Sequence, residues 1–325
     1  MRRREFIVAL GATVVWPLAA LAQQAASRTI GVLASGSLEA LRTSFAPAQQ
    51  RLAELGYIEG RNLALEYRWA ENQEDRLVAL ADDLVRRRVD AIVVFTGPSI
   101  AAAKDATTSI PIIFFTGFDP VASGFVASLN RPGGNVTGIS ALNTEVLAKR
   151  LEMLCELVPT AKAVAVLYSP TNLVSGWDRS LVKLAADALG VKLTLVAARR
   201  PDDFEGAFPR IASARSDALL LSADALIAGN REALVDLAAR YKIAAAYPFR
   251  AFAAGGGLMS YGTNYPEAYR QVGDYLGRVL NGEKPENLPV LQVTKLELVI
   301  NMKTVKALGL TVPLSLLGRA DEVIE

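Results

Sequence analysis

At 325 residues, with 51% hydrophobic and 21% charged side chains, the chain has enough apolar material for two cores and lacks the composition of a disordered protein. Its 35 basic and 33 acidic residues leave a net charge of +2, and because they are interspersed no basic face offers the phosphate neutralisation that nucleic-acid binding needs. With no histidine and a single cysteine, Cys155, the common zinc ligand sets, the Ser-His-Asp and Cys-His arrangements and any intrachain disulfide are excluded.

Residues 1–22 read as an address. Met1-Arg2-Arg3-Arg4 is positively charged, Phe6 to Ala20 is mostly apolar, and Ala20-Leu21-Ala22 is an A-x-A cleavage site before Gln23. This is the layout of a secretory signal, and the apolar stretch, interrupted by Pro17, is too short for a stable membrane span. The mature chain is expected to begin at Gln23, to lie outside the cytoplasm and to have no stable membrane insertion. Arg3-Arg4-Glu5-Phe6-Ile7 resembles a twin-arginine export signal, but ordinary signals also carry arginines, so both routes stay open. No cysteine follows the cleavage site, which excludes a lipid anchor there.

Beyond the leader, short apolar runs bounded by turn residues alternate with longer helical patterns, the signature of βαβ units around a parallel sheet. The expected strands of the first half are Thr29–Ala34, Asn62–Arg68, Ala91–Phe95 and Ile112–Phe115, with helices near Leu41–Leu55, Arg76–Arg87 and Ile100–Thr107. Arg86-Arg87-Arg88 falls at a helix end, where cations complement the macrodipole. A turn cluster at Asn130 to Asn135 leads to a strand at Val136–Ser140 and a helix starting near Asn143, on which Cys155, flanked by Leu154 and Leu157, is expected to be a buried thiol. The second half repeats the pattern: strands at Val164–Tyr168, Lys192–Val196, Ala218–Leu221 and Ala244–Tyr247, and helices at Leu181–Leu189 and Leu234–Arg240. Gly255-Gly256-Gly257 precedes a strand and lacks the Lys-Ser/Thr of a phosphate loop, so it reads as a turn. A helix at Tyr265–Leu280, stopped by Asn281-Gly282, has no counterpart in the repeat.

The two halves match residue for residue in places: Ile30 to Ser35 answers to Val164 to Ser169, Val89 to Phe95 to Ser216 to Ser222, and Ile110 to Phe115 to Ile243 to Pro248. The expected architecture is therefore α/β, with two doubly wound, Rossmann-like lobes joined by a multi-strand hinge. Lobe 1 would comprise residues 23–142 and lobe 2 residues 143–263, with a return to lobe 1 over 264–292 and a C-terminal crossing segment, 293–325, shared between lobes.

Several stretches carry a family likeness. The leader ending in Ala22-Gln23-Gln24, Asp119-Pro120, Arg131-Pro132-Gly133-Gly134-Asn135-Val136-Thr137-Gly138, Asn281-Gly282-Glu283-Lys284-Pro285 and Leu298-Val299-Ile300-Asn301 resemble the solute-binding proteins of ABC transporters that include tryptophan- and tyrosine-binding members. The likeness runs over essentially the whole mature chain. It implies a type I periplasmic-binding-protein fold, a periplasmic location, a ligand held between lobes, no enzymatic activity, and delivery to ABC permease subunits in the membrane.

In open α/β sheets, ligands bind at the carboxyl ends of the strands. Those ends nominate Ser35, Gly36, Thr96, Gly97, Ser99, Phe118 and Asp119 from the first lobe and Tyr168, Asn172, Asp224 and Tyr247 from the second, with Tyr261 near a crossing. Thr96 to Ser99 stands at a helix start, where free N–H groups suit a carboxylate; capping alone is the competing role for Thr96 and Ser99. Asp224 fits an ammonium group and equally a helix cap, and Asp119 before Pro120 fits a turn. The rings of Phe118, Tyr168, Tyr247 and Tyr261 suit an apolar or aromatic body, though each fits a core edge as well. The expected ligand is small, amino-acid-like or otherwise carboxylate-bearing, and no metal or cofactor is called for. Two other roles fit the same residues: an extracytoplasmic sensor docking on a membrane kinase, and an exported enzyme using Asp119 and Asp224 as acid and base.

Overall fold

The computed structural model describes residues 27–71, 73–141, 143–170 and 179–325; the leader and Asn172 lie outside the described residues. The first lobe runs β1 (Arg28–Ala34), α1 (Leu38–Glu54), β2 (Leu63–Trp69), α2 (Leu77–Arg86), β3 (Ala91–Val94), α3 (Gly97–Ala106), β4 (Ile112–Thr116) and β5 (Val136–Ser140). The second runs α4 (Asn143–Leu157), β6 (Ala163–Tyr168), α5 (Arg179–Leu189), β7 (Lys192–Ala197), α6 (Asp203–Ser213), β8 (Ala218–Leu221), α7 (Ala225–Gly229), α8 (Arg231–Arg240), β9 (Ala244–Tyr247), α9 (Arg250–Ala254) and β10 (Met259–Thr263). Then come α10 (Tyr265–Leu280) and β11 (Leu291–Gln292), followed by β12 (Leu296–Asn301), α11 (Met302–Ala307), α12 (Leu314–Leu317) and β13 (Glu322–Ile324).

The sheets are ordered β11-β5-β4-β3-β1-β2 and β13-β12-β10-β9-β8-β6-β7. Exchanging β1 to β5 for β6 to β10 converts the body of one into the other, so the repeat extends to the fifth strand of each half. The pairings are parallel except for β10 with β12. Because helices cover both faces, strands read as unbroken apolar runs whose residues alternate between two cores. Along β1, Ile30 and Val32 join the cluster with Phe45, Leu52 and Val272, whereas Leu33 joins the one with Leu77, Leu84 and Ile100. This is the architecture of a type I periplasmic binding protein.

Three passages connect the sheets: after β5, after β10, and between β11 and β12. The C-terminal strands β12 and β13 both sit in the second sheet. Sharing of the tail between lobes is therefore confined to the passage at 293–295, since β12 finds its partner in β10.

The sequence around Pro132 is explained by the fold. Gly133 and Gly134 both have left-handed backbone, φ +77 and +62, which side chains disfavour. Asn135 then donates its amide hydrogens to the carbonyls of Thr107 (3.0 Å) and Ile110 (2.7 Å). Thr137 donates its hydroxyl to Leu288 O at 2.7 Å, fastening the segment that leads into β11. A Cβ on Gly138 would lie 2.1 Å from Phe114 O. These residues build the seam of a crossing.

Helix α10, returning from the other lobe, is clamped onto α1. Arg270 pairs with Glu54 at 2.8 Å and Arg51 with Asp274 at 2.7 Å. The hydrogen bonds from Arg270 and then Arg51 bring the Glu54 carboxyl from its ordinary 4.5 down to about 2. A carboxyl depressed by folding adds stability above its ordinary pKa and gives it up as pH falls through the folded value. Glu54 is open to solvent, so the effect is expected to be small and screened by salt. At low salt, melting temperature should fall more steeply between pH 4.5 and 2 for the parent than for Glu54→Gln, with the difference narrowing at high salt. Superimposable pH profiles would show that the clamp contributes nothing.

Candidate functional site

In each lobe the strand order reverses at one point, between β1 and β3 in the first and between β6 and β8 in the second. Such switch points open a crevice at the carboxyl ends of the strands. In the first lobe this crevice is spanned by hydroxyls: Ser35 Oγ and Thr96 Oγ1 lie 2.7 Å apart. The neighbouring Gly36 faces open space. In the second lobe Ser169, after β6, answers by repeat to Ser35, and Asp224, after β8, answers to Gly97.

Thr96 caps α3. Its hydroxyl accepts the N–H of Ser99 (3.4 Å) while Ser99 Oγ accepts the N–H of Thr96 (3.0 Å), a capping box. Ser99 is fully buried and also donates to Thr96 O at 2.9 Å. Of the first N–H groups of α3, that of Gly97 has no hydrogen-bond partner among the described residues. Ser99 is thus absorbed by the cap, and Thr96, half-buried and touching Ser35, faces the crevice.

Asp224 is buried and caps α7, accepting the N–H of Ile227 (2.9 Å) and the hydroxyl of Ser222 (2.7 Å). Burial pushes its carboxyl above the usual range, against the hydrogen bonds from Ser222 and from the backbone of Ile227, Ser169 and Leu226. The bond with Ser169 ties β6 to β8 just as Ser35–Thr96 ties β1 to β3. Asp119 is exposed, and its Oδ1 accepts the N–H groups of Val121 (2.8 Å) and Ala122 (3.1 Å), the geometry of a turn before Pro120.

Of the four nominated rings, three take part in cores. Phe118 packs on Phe125 in the outer core of the first lobe, centroids 5.8 Å apart. Tyr247, on the same strand face as Ala245, is stacked at 4.8 Å on Phe252. Tyr261 packs on the core that contains Leu147, Leu151 and Leu298. Tyr168 is half-buried at the end of β6.

Other rings meet where the lobes join. Phe95 directly follows β3, Phe249 follows β9 by two residues, and Tyr265 opens α10 just past the second passage; all three are half-buried. Tyr265 meets Phe115 of the first lobe edge-on at 5.3 Å and Phe249 of the second edge-on at 4.9 Å. Through Tyr269 the line continues to Phe115 (4.9 Å) and Phe95 (5.7 Å). Tyr265 links the aromatic groups of the two lobes.

One charged side chain in this region was not among the sequence candidates. Arg150 of α4 is 1% exposed. It donates Nε–H to Tyr261 O (2.6 Å) and Nη1–H to Leu221 O (2.8 Å), bridging β10 and β8 across the β9 that lies between them. Burial lowers its pKa to about 9, opposed by the nearby Tyr265 and Tyr261, so it remains a cation at neutral pH. The half-buried thiol of Cys155 is pushed up by burial, which disfavours its reactive thiolate.

A two-lobed α/β receptor with polar strand ends and aromatic rings at the junction is a ligand-binding protein. Residues 29–324 match the ABC transporter substrate binding protein family, to which the chain belongs. It acts by binding, as partner of an ABC permease. A curated relative, the tyrosine-binding protein of Clostridioides difficile strain R20291, is 28% identical over 274 residues, 84% of this chain and 78% of the relative. The structure of a Streptococcus pneumoniae ABC domain in complex with L-Trp is 27% identical, covers 92% of this chain and 100% of its own, and superposes with a TM-score of 0.81. The ligand-free, open structure of a Clostridium difficile substrate-binding protein is 25% identical, covers 91% and 99%, and gives 0.67. Among the described residues no helix is long and apolar enough to cross a membrane, and no group of three or more His, Cys, Asp or Glu residues is placed to hold a metal.

Proposed function

We propose that this receptor captures an aromatic amino acid, or a closely similar carboxylate-bearing solute, between its lobes outside the cytoplasm and hands it to the permease. The observation that carries this reading is the meeting of Tyr265 with rings of both lobes, beside the half-buried Phe95. An aromatic ligand gains burial and edge or face contacts from such rings. Ser35, Gly36, Thr96 and Gly97 on one side and Tyr168, Ser169 and Asp224 on the other supply polar groups to orient it. A tyrosine-binding relative and a tryptophan-bound structure support the same chemistry. Two lobes joined by a few passages suit capture by closure around the ligand as a hinge motion.

Purified protein, stripped of ligand by unfolding and refolding, tests this. A ligand specific for the native state stabilises it by about 2.7 kcal/mol at a concentration 100 times its Kd. L-tryptophan, L-tyrosine and L-phenylalanine should therefore raise the melting temperature by several degrees, and pentoses and hexoses should not. A screen in which sugars stabilise and aromatic amino acids do nothing would overturn the ligand assignment.

A further inference from the structure

We propose that Arg150 holds the carboxylate of the captured solute, an inference that rests on the aromatic amino-acid reading above. A guanidinium has five N–H donors, and two are given to the carbonyls of Tyr261 and Leu221. Both acceptors are neutral, and among the described residues no carboxylate forms an ion pair with Arg150. Taking a cation out of water without a counter-charge is unfavourable. A bound carboxylate supplies the missing charge and matches the planar fork bidentately.

The position agrees with this role. Leu221 is the last residue of β8, and Tyr261, midway along β10, stands one residue past the end of β9 in register, so both carbonyls lie toward the side of the sheet on which ligands of open α/β folds bind. Tyr265, whose ring touches both lobes, is near enough to Arg150 to favour its charge. Gly262 lets the β10 backbone run close to the guanidinium: a Cβ there would stand 3.6 Å from Nη2. Asp224 follows β8 by three residues, so one rim of the second lobe carries a cation and an acid, the two charges that an α-amino acid bears on one carbon. At the start of α3, the other place where a carboxylate could sit, the capping box occupies the Ser99 N–H.

Affinities of L-tryptophan, L-tryptophanamide and tryptamine should be measured by calorimetry for the parent, Arg150→Gln and Arg150→Lys. The parent should prefer tryptophan to both carboxylate-free analogues by about 10- to 100-fold, the range of a charge-assisted hydrogen bond. Arg150→Gln should abolish most of that preference while the affinity for tryptamine changes by less than about 3-fold; Arg150→Lys should keep part of it. A parent that binds tryptophan and its amide equally overturns the assignment without recourse to any variant. So does Arg150→Gln weakening all three in parallel, the pattern of a purely structural arginine. A parent that binds no aromatic compound at all defeats the ligand reading itself, a result distinct from either.

Discussion

Gly262→Ala should destabilise the protein by about 3 kcal/mol, the upper part of the range for forcing an extra group into packed structure. A Cβ at this position would lie 2.0 Å from Pro248 O and 3.1 Å from Pro248 C. Both are backbone atoms, so no side-chain rotation relieves the contact. Gly262 belongs to β10, which is held on its other side by β12 through the register Gly262↔Glu297, and the strand cannot retreat without breaking that ladder. Chemical denaturation should report the loss as a lower midpoint with little change in slope. Gly206→Ala is the control: this exposed glycine of α6 has nothing within 4 Å of an added Cβ, and alanine there should gain about 0.5–1 kcal/mol from helix propensity. The same contact has a functional side. Pro248 leads into Phe249, and Arg150 lies against Gly262, so a displaced β10 should also weaken aromatic ligands in whatever fraction stays folded. Unchanged stability in Gly262→Ala would mean that β9 and β10 do not approach as described.

Much of this fold is legible in the sequence because its signals are local. Helix α10 begins and ends as read, since Asn264 accepts the N–H of Glu267, Pro266 occupies the first turn, and Gly282 turns the chain with φ +95. Helix α3 starts three residues before the expected Ile100, because its cap is Thr96 and the helix begins at Gly97. Helix α6 is hard to see in the sequence although Phe204, Ala207, Phe208 and Ile211 form a buried stripe at helical spacing, because Pro209 within the helix masks the pattern. Strand β13 has only three residues and exists through its pairing with β12, a contact that no local pattern announces.

The candidate site divides along the same line. Hydroxyls at strand ends can be found from sequence because a strand's end fixes where Ser35, Thr96 and Ser169 stand. Which way a ring turns there depends on register and on what covers the sheet, so Tyr247 lies under Phe252 while Phe249, two residues on, reaches the junction. Tyr265 arrives through a chain passage and has no counterpart in the repeat. Arg150 did leave a signal: it interrupts the stripe of Val146, Leu147, Leu151 and Leu154, all buried. A lone arginine on the apolar face of a helix marks a position where a buried charge has been retained, and its surroundings explain it only after folding.

Tyr265→Ala and Phe118→Ala should separate binding from stability in opposite directions. Tyr265 is half-buried at the junction, with its ring against Phe115 and Phe249 from different lobes. Removing a central aromatic anchor of a binding site typically costs about 2 kcal/mol or more, so the Kd for L-tryptophan should rise about 30-fold, while Tyr265→Phe should retain most of the affinity. Phe118 was an equally good sequence candidate, yet it is 5% exposed and packed on Phe125 in the outer core of the first lobe. Its truncation leaves a cavity, with an expected loss of about 3–5 kcal/mol in stability, but folded Phe118→Ala should bind L-tryptophan within about 3-fold of the parent. The contrast is informative because both substitutions remove a ring from the carboxyl-terminal side of the first sheet, and only the ring's position relative to the second lobe differs. Should Phe118→Ala abolish binding in folded protein while Tyr265→Ala leaves it intact, the ligand would have to sit deeper in the first lobe, and the junction of rings would be a hinge contact only.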